Sequence, residues 1–180
     1  KSALIMGFGR IGQRVGALCR ALGLRVAAFD PYMERSPVEG VEMVKDFRAI
    51  LPETDFLCLH LPSTPETRDL IGAGELALLK RGAFVLNCAR GGIVDEDVRC
   101  DALESGHLGG AGLDVFAKEP PDTAHRLFRQ EKVLLSPHNA ALTEECAIRM
   151  ATQAVQNVLD CLDGKLQPRV VMNRREIGMA

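Results

Sequence analysis

The chain has 180 residues, enough for one well-buried core, and its 47% apolar and 26% charged residues are ordinary for a globular protein rather than a disordered one. The formal net charge of −2 gives no support for a nucleic-acid or membrane-surface partner, because either would favour a basic patch. No apolar run approaches the roughly 18 residues that a transmembrane helix needs, so we expect a cytoplasmic protein that binds neither nucleic acid nor membrane.

The cysteines of the chain lie far apart along the sequence. No two of them form a C-x-x-C pair, which argues against a zinc site or a thioredoxin-like redox motif. Reduced thiols in a cytosolic protein are the simpler interpretation, and we predict no bound metal. The cysteines are Cys19, Cys58, Cys88, Cys100, Cys146 and Cys161.

The start of the chain predicts a β-α-β unit. An apolar strand at 3–6 leads into a helix at 10–22, whose apolar side chains form one stripe, and Gly23 is a fitting stop. A second strand at 25–29 ends where Asp30-Pro31 interrupts it.

Shorter elements continue this alternation along the rest of the chain. The last element is a long helix that starts after Thr143, a good N-cap residue, and ends before Gly164. Between these ends the sequence predicts helices at 46–51, 74–79 and 96–105, and strands at 56–59, 83–86, 112–115 and 133–135.

Alternating strands and helices predict an α/β fold, a Rossmann-type doubly wound parallel sheet with helices on both faces. Ligands bind such sheets beyond the carboxyl ends of the strands. This rule predicts that several loops meet at one edge of the sheet. They are the loops 7–12, 60–67 and 87–92, together with the loops after Phe29, Val115 and Leu135.

A G-x-G-x-x-G motif joins the first strand to the first helix. Gly7 would permit the tight turn, Gly9 would let the backbone approach a pyrophosphate, and Gly12 would let helix and strand pack closely. The outward amides of Arg10 and Ile11 at the helix start favour a diphosphate. A glycine-rich turn without a ligand is the alternative.

Asp30 ends the second strand, 18 residues after Gly12. An acid there is placed to accept hydrogen bonds from an adenosine ribose and would repel a 2′-phosphate, which favours NAD over NADP. A turn-forming Asp-Pro is the competing explanation for this residue taken alone. The motif, the acid and the strand context together predict dinucleotide binding.

Three polar side chains after later strands could carry chemistry. Arg90 follows a strand, and its planar guanidinium suits a carboxylate with an adjacent carbonyl, although a solvated surface arginine is the commoner case. His138 directly follows the last strand and could be a structural histidine. If Glu119 lies beside His138, its carboxylate would fix the imidazole tautomer and favour the imidazolium, which can donate a proton near neutral pH.

Five segments, in the same order, resemble the D-isomer-specific 2-hydroxyacid dehydrogenases. This family includes phosphoglycerate dehydrogenase, glycerate and hydroxypyruvate reductases and D-lactate dehydrogenase. Together the segments are far more specific than the glycine motif, and Glu119 distinguishes the chain from formate dehydrogenases, which place Gln there. The matching segments are 7–12, 60–67, 87–96, 112–120 and 136–143.

The resemblance implies catalytic roles for three residues and an NAD site around them. Arg90 would hold the substrate carboxylate and carbonyl, His138 would exchange the proton with the substrate oxygen, and Glu119 would orient His138 and keep it charged. The implied NAD-binding residues are Gly7, Gly9, Arg10, Ile11, Gly12, Asp30, Leu61, Pro62, Thr67, Cys88, Ala89, Arg90, Asp114, His138, Asn139, Ala140 and Ala141.

The other histidines match no functional position of the family. We interpret His60, His107 and His125 as structural or exposed.

The resemblance also implies that this chain is the cofactor half of a longer enzyme. Residues 1–166 would form the NAD-binding domain, and 167–180 would return toward a substrate domain, which in the family lies mainly before the first strand. The chain begins close to its first strand, with neither a start Met nor a signal peptide. We therefore expect a piece of a longer protein, which forms a homodimer.

The implied reaction is reversible hydride transfer between NAD(H) and C2 of a D-2-hydroxy acid or its 2-oxo acid. The cofactor supplies the hydride, and the protein supplies position and charge. Two alternatives stay open on the sequence alone. One is an NAD(H)-sensing binding protein of the corepressor kind, and the other is a domain that only binds nucleotide.

Overall fold

The structure is a computed structural model that describes residues 1–174 and 176–178. The chain divides into two compact units, Lys1–His138 and Asn139–Ala180. The first unit holds the sheet and its packed helices. The second holds one long helix.

Strands and helices alternate through the first unit, as the sequence predicts. The strands are β1 (Ser2–Met6), β2 (Arg25–Phe29), β3 (Val41–Met43), β4 (Phe56–Leu59), β5 (Ala83–Asn87), β6 (Leu108–Leu113) and β7 (Val133–Leu135). The α-helices are α1 (Arg10–Ala21), α2 (Ala73–Leu78) and α3 (Glu96–Glu104), with short 3₁₀ helices at Leu51–Glu53 and Arg126–Arg129.

The strands form one parallel sheet in the order β3-β2-β1-β4-β5-β6-β7. The register aligns the carboxyl ends of five neighbouring strands, which are β1, β4, β5, β6 and β7. Met6 pairs with Leu59, Leu59 with Asn87, and Asn87 with Leu113. Leu113 in turn pairs with Leu135. The loops that leave these strands therefore lie side by side, and the predicted doubly wound α/β fold is confirmed.

Alternate residues of β1 enter apolar cores on opposite faces of the sheet, because strand side chains alternate between faces. Leu4 and Met6 lie in the larger core, against α2 and α3. Ala3 and Ile5 lie in the other, against α1. Burial on both faces explains why this strand is apolar throughout.

The predicted helix at 46–51 is wrong. The Asp46 carboxylate accepts the amide of Arg48 at 3.0 Å, which favours a turn over a helix. Pro52 then lies inside the 3₁₀ helix Leu51–Glu53, where an α-helix cannot continue through it. The short edge strand β3 was not predicted, since three residues carry almost no periodicity and its pairing with β2 supplies the order.

Strand β6 begins and ends earlier than the predicted 112–115. Its glycines discourage a strand assignment, yet here they allow close packing. A Cβ on Gly109 would lie 2.5 Å from the Gly82 carbonyl oxygen, and one on Gly110 would lie 2.8 Å from the Phe84 ring. The strand ends at Leu113, so Asp114 and Val115 belong to the loop at the site edge.

The second unit contains α4 (Glu144–Leu162) and a 3₁₀ helix, Pro168–Val170. Thr143 caps α4 as predicted, because its hydroxyl accepts the amide of Cys146 at 3.2 Å. In the part of the chain that the structure describes, no helix has the length and apolar character to cross a membrane. The domain boundary at residue 166 stays a prediction, and Arg175, Met179 and Ala180 of the 167–180 segment lie outside the described residues.

Candidate active site and cofactor cleft

The glycine motif forms the tight turn between β1 and α1. Gly7 has φ +84°, and a Cβ there would lie 2.6 Å from the carbonyl oxygen of His60. A Cβ on Gly12 would lie 2.2 Å from the carbonyl oxygen of Gly7. Only glycine fits these two positions, because a side chain would collide with backbone that cannot move aside.

The start of α1 suits an anion. Gly9 is the N-cap residue, so no side chain caps the first amides, and no acidic residue lies in the first turn. The amides of Arg10 and Ile11 have no acceptor within the helix. A Cβ on Gly9 would meet no atom within 4 Å, so open space lies where a diphosphate would approach. These residues fit the pyrophosphate of a dinucleotide.

Both oxygens of the Asp30 carboxylate bind backbone amides. Oδ2 accepts the amide of Phe8 at 2.9 Å, and Oδ1 accepts the amide of Tyr32 at 2.9 Å. The carboxylate thus joins the glycine turn to the end of β2. Each carboxylate oxygen can accept a second hydrogen bond, so this anchored side chain can still receive a ribose hydroxyl.

A cleft of about 620 Å³ lies beside the glycine turn and Asp30. It continues to the loop after β4, where the Thr67 hydroxyl donates to the carbonyl of Pro62 at 2.7 Å and accepts the amide of Thr64 at 2.7 Å. Predicted cofactor residues make up part of its wall. Those lining it are Gly7, Gly9, Asp30, Leu61, Pro62 and Thr67.

Arg90 lies on a loop that buried Asn87 holds in place. The Asn87 side chain accepts the amide of Ala89 at 3.1 Å and donates to the carbonyl of Arg90 at 2.9 Å. The guanidinium of Arg90 is exposed and donates to the carbonyl of Ala89 at 2.6 Å. The backbone is therefore anchored, while the charged end of the side chain is open to a ligand.

The Arg90 loop presses against the chain that follows β6. A Cβ on Gly91 would lie 1.8 Å from the carbonyl oxygen of Phe116 and 2.6 Å from the amide nitrogen of Ala117. Gly91 therefore permits a backbone contact that no other residue could make. This contact joins the loop of Arg90 to the segment that carries Glu119.

Asp114 is 3% exposed at the end of β6. Its Oδ1 accepts the hydroxyl of Ser136 at 2.6 Å, and its amide donates to the carbonyl of Asn87 at 3.0 Å. Burial, together with the negative charge of Asp114, raises the pKa of the Cys88 thiol. Cys88 is therefore a neutral thiol at pH 7.

His138 and Glu119 are in direct contact, as the sequence required for an acid–base pair. Nδ1 of His138 lies 2.8 Å from Oε2 of Glu119, and Oε1 of Glu119 accepts the amide of Phe116 at 3.1 Å. The hydrogen bond with His138, followed by that with Phe116, holds the pKa of Glu119 below its usual range. The ionised carboxylate assigns the proton to Nδ1 and leaves Nε2 to exchange a proton with a substrate.

Of the other histidines, His107 and His125 take structural positions, whereas His60 lies at the cleft. His107 Nε2 lies 2.9 Å from the carbonyl of Leu76, and His125 Nδ1 accepts the amide of Leu127. His60 lines the cleft beside the glycine turn, and burial lowers its pKa. Within residues 1–174 and 176–178, no cluster of three or more His, Cys, Asp or Glu side chains could hold a metal ion, and the six cysteines are free thiols.

The structure thus places most predicted residues at one edge of the sheet of the first unit. Asn139, Ala140 and Ala141 belong to the second unit, where the amide of Leu142 donates to the carbonyl of Asn139 in the turn before α4. Sequence reasoning missed Ser136 as the partner of Asp114. Its position directly after β7 was the available signal.

Known proteins resemble this chain in sequence and fold. The family model for the D-isomer specific 2-hydroxyacid dehydrogenase, NAD binding domain, matches residues 1–140. A D-3-phosphoglycerate dehydrogenase of Methanocaldococcus jannaschii is 39% identical over 95% of the chain and 33% of its own length. A glyoxylate reductase of Aeropyrum pernix is 40% identical over 95% of the chain and 51% of its own length.

A crystal structure of a D-isomer specific 2-hydroxyacid dehydrogenase from Lactobacillus delbrueckii ssp. bulgaricus, in an NAD complexed form, superposes with a TM-score of 0.86. It is 30% identical and is matched over 96% of this chain and 56% of its own. The chain therefore spans about a third to a half of the length of these relatives. The Rossmann-type fold and NAD as the cofactor are confirmed, and the chain belongs to the NAD-binding domain family of the D-isomer-specific 2-hydroxyacid dehydrogenases.

Proposed function

We propose that the chain is the cofactor half of an NAD-dependent dehydrogenase that interconverts a D-2-hydroxy acid and its 2-oxo acid. The 2.8 Å contact between His138 and Glu119, at the same sheet edge as the glycine turn, carries this proposal. An acid–base pair beside a dinucleotide site suits a reaction in which a proton and a hydride move together.

Arg90 would bind the substrate. Its planar guanidinium matches a carboxylate with two parallel hydrogen bonds, and it can also polarise a neighbouring carbonyl. The loop that carries it is held by Asn87 and Gly91, so the backbone would stay in place when the guanidinium leaves the Ala89 carbonyl for a ligand.

His138 would move the proton. In reduction of a 2-oxo acid, Nε2 would give a proton to the substrate oxygen, and in oxidation it would take that proton back. Glu119 would hold Nδ1 and stabilise the imidazolium. NAD(H), when bound, accepts or supplies the hydride.

The cofactor would lie along the edge from the glycine turn to β6. Gly7, Gly9 and the amides of Arg10 and Ile11 would hold the diphosphate, and Asp30 would hold the ribose. The remaining residues of the implied set would line the adenosine and nicotinamide ends. They are Gly12, Leu61, Pro62, Thr67, Cys88, Ala89, Arg90, Asp114, His138, Asn139, Ala140 and Ala141.

Three further features belong to this proposal. The relatives are about two to three times longer than the matched region, which supports a longer protein with a separate substrate domain. We also propose that this protein is cytoplasmic and forms a homodimer. The relatives named above are dehydrogenases and a reductase, so the NAD(H)-sensing alternative is not favoured.

A panel of 2-oxo acids tests the proposed reaction. The longer protein that contains this chain is mixed with NADH and glyoxylate, pyruvate or hydroxypyruvate, and NADH absorbance is followed. We expect turnover of at least one acid, and we expect His138→Asn to lower kcat by about 10²- to 10⁴-fold because it removes the proton donor. NADH affinity should fall far less than kcat, since the diphosphate site, which lies elsewhere on the edge, is unchanged.

His125→Asn is the matched control, because it changes the same residue type at a position that caps a 3₁₀ helix. It should leave kcat unchanged. Tight NADH binding without turnover of any acid would contradict the proposal and favour a sensing role. Full activity of His138→Asn would contradict the mechanism.

A further inference from the structure

A carboxylate of α3 contacts the segment that carries Glu119. Glu96 is the first residue of α3, and its Oε1 accepts the amide of Ala117 at 2.8 Å. The Glu96 side chain is 21% exposed. Glu96 has no part in the proposed substrate, proton-transfer or cofactor contacts. Among the hydrogen bonds of the described residues, none joins it to Arg90 or His138.

The peptide between Phe116 and Ala117 contacts two other segments of the site. Gly91 presses against its carbonyl side, and Glu96 accepts its N–H. The preceding amide, that of Phe116, donates to Oε1 of Glu119. A rotation of this peptide would therefore disturb the Arg90 loop on one side and Glu119 on the other.

The buried guanidinium of Arg99 lies next to Glu96. Arg99 is 1% exposed, and its Nη2 lies 3.8 Å from Oε1 of Glu96. Within the part of the chain that the structure describes, Nε and Nη2 of Arg99 have no hydrogen-bond partner. A buried guanidinium is costly without a nearby anion, so its attraction favours the position of Glu96 over the Ala117 amide.

We propose that Glu96 is a positioning residue that holds the Phe116–Ala117 peptide and thereby sets Glu119 against His138. Its catalytic meaning rests on the proposed function, but the contact itself does not. The carboxylate acts through one peptide on two parts of the site, and Arg99 keeps the carboxylate in place.

A simpler role for Glu96 would be to stabilise the start of α3, where acidic residues are favourable. Asp97 occupies the same first turn, and Asp95 already caps the helix by accepting the amides of Asp97 and Val98. A helix-start role would need only the charge. The positioning role needs the reach of the side chain to Ala117.

Two substitutions separate these roles. Glu96→Asp keeps the charge at the helix start but shortens the side chain by one methylene, which withdraws it from the Ala117 amide. Glu96→Gln keeps the reach and an acceptor oxygen but removes the charge. Glu104→Asp is the matched control, because Glu104 is on the same helix and contacts Gln130 instead.

The first measurement follows the side-chain carboxyl carbon of Glu119 by NMR during a pH titration of the 180-residue chain. Groups that act on Glu119 are His138, the Phe116 amide and the like charge of Asp114. His138→Asn serves as the reference, because it removes the main contact that lowers the pKa of Glu119 and should raise the midpoint. We expect Glu96→Asp to raise it by about half as much. Glu96→Gln keeps the reach to Ala117 but loses the attraction of Arg99, so it should raise the midpoint by less than Glu96→Asp, and Glu104→Asp should leave it unchanged.

The second measurement is turnover in the longer protein. Glu96→Asp should lower kcat by about 10-fold, because a small displacement of a catalytic group is costly, while KM for NADH stays within about twofold. Glu96→Gln should retain most of the activity.

An unchanged Glu119 midpoint in Glu96→Asp would overturn the positioning role, even if the variant melts at a lower temperature. A midpoint that Glu96→Gln raises as much as Glu96→Asp, or more, would also overturn it, since the reach of the side chain to Ala117 would then not decide the effect. If the unsubstituted protein reduces no 2-oxo acid, the proposed function fails, whereas the NMR titration still decides the role of Glu96.

Discussion

At the scale of single residues, the sequence offered two competing explanations for Asp30, a turn formed by Asp-Pro and a contact with the ribose of the cofactor. The structure shows that the two are compatible. The structure contains the turn expected of Asp-Pro, because Oδ1 accepts the Tyr32 amide. It also ties Oδ2 to Phe8 in the glycine turn, which places the carboxylate at the cleft. The turn would therefore position the acid for a ribose, as the proposed cofactor site requires.

We expect Asp30→Asn to narrow the preference for NADH over NADPH by about tenfold, equivalent to about 1.4 kcal/mol of binding energy. The amide keeps an acceptor for one backbone N–H but no longer repels a 2′-phosphate. Dissociation constants measured by the fluorescence of bound NADH and NADPH would check this.

Asp30→Ala should narrow the preference as well, but it should also lower the melting temperature because both backbone amides lose their acceptor. Glu42→Gln, on the neighbouring edge strand, is the control. An unchanged ratio of the two constants in both Asp30 variants would rule out the ribose role.

At the scale of elements, Asp55 joins three chain segments at the edge of the sheet opposite the site. It precedes β4 and accepts hydrogen bonds from the Ser2 amide of β1 at 2.9 Å, from Lys80 before β5 at 2.9 Å and from Lys1 at 3.2 Å. The contact with Lys80, followed by those with Ser2 and Lys1, holds the pKa of Asp55 well below its usual range.

This lowered pKa predicts a pH-dependent contribution to stability. The ionised form is favoured in the folded state, so the contribution is complete above the usual aspartate pKa of about 4 and is lost as the pH falls further. Asp55→Asn should therefore lower the melting temperature at pH 7, and the difference from the unsubstituted chain should shrink below about pH 4.

Glu53→Gln is the matched control, because Glu53 forms an exposed ion pair with Arg25 at 3.5 Å and should contribute little. Melting curves at several pH values decide the question. If the difference in melting temperature between Asp55→Asn and the unsubstituted chain stays constant down to pH 2, the carboxylate charge does not contribute to stability.

At the scale of the whole molecule, the parallel sheet brings segments that are distant in the sequence together at one edge. The carboxyl ends of five strands lie in register, so the turn at Gly7 and the loops of Arg90, Asp114 and His138 lie at the same edge of the sheet. A cofactor bound along this edge, as proposed, would contact several elements at once, and its binding energy would stabilise the fold as a unit.

NADH at about 100 times its dissociation constant should stabilise the chain by about 2.7 kcal/mol. For a chain of this size we expect the melting temperature to rise by about 5–10 °C. NADPH at the same concentration should give a smaller rise. Thermal unfolding followed by circular dichroism would measure both.

Gly9→Val provides the structural control. A Cβ at this position would meet no protein atom within 4 Å apart from its chain neighbours, so the fold should be retained, but the valine side chain would fill the space in front of the α1 amides. The variant should melt near the unsubstituted chain and lose the rise with NADH. An equal rise in both proteins would exclude the diphosphate site at Gly9.

The sequence by itself determined the features that depend on local signals. Apolar periodicity located most strands and helices, and the caps Asp95 and Thr143 marked the starts of α3 and α4 because a cap binds amides two or three residues away. Residues placed after strands also indicated the site edge, since the carboxyl ends of parallel strands meet there.

The tertiary structure alone decided the contacts between residues far apart in the chain. The bonds of Ser136 to Asp114 and of Glu96 to Ala117 span more than twenty positions, and no local pattern encodes them. The same holds for β3 and the glycines of β6, whose conformation comes from pairing and close packing rather than from propensity. The strand order brings these groups together, and hydrogen bonds between distant segments then determine which of them make contact.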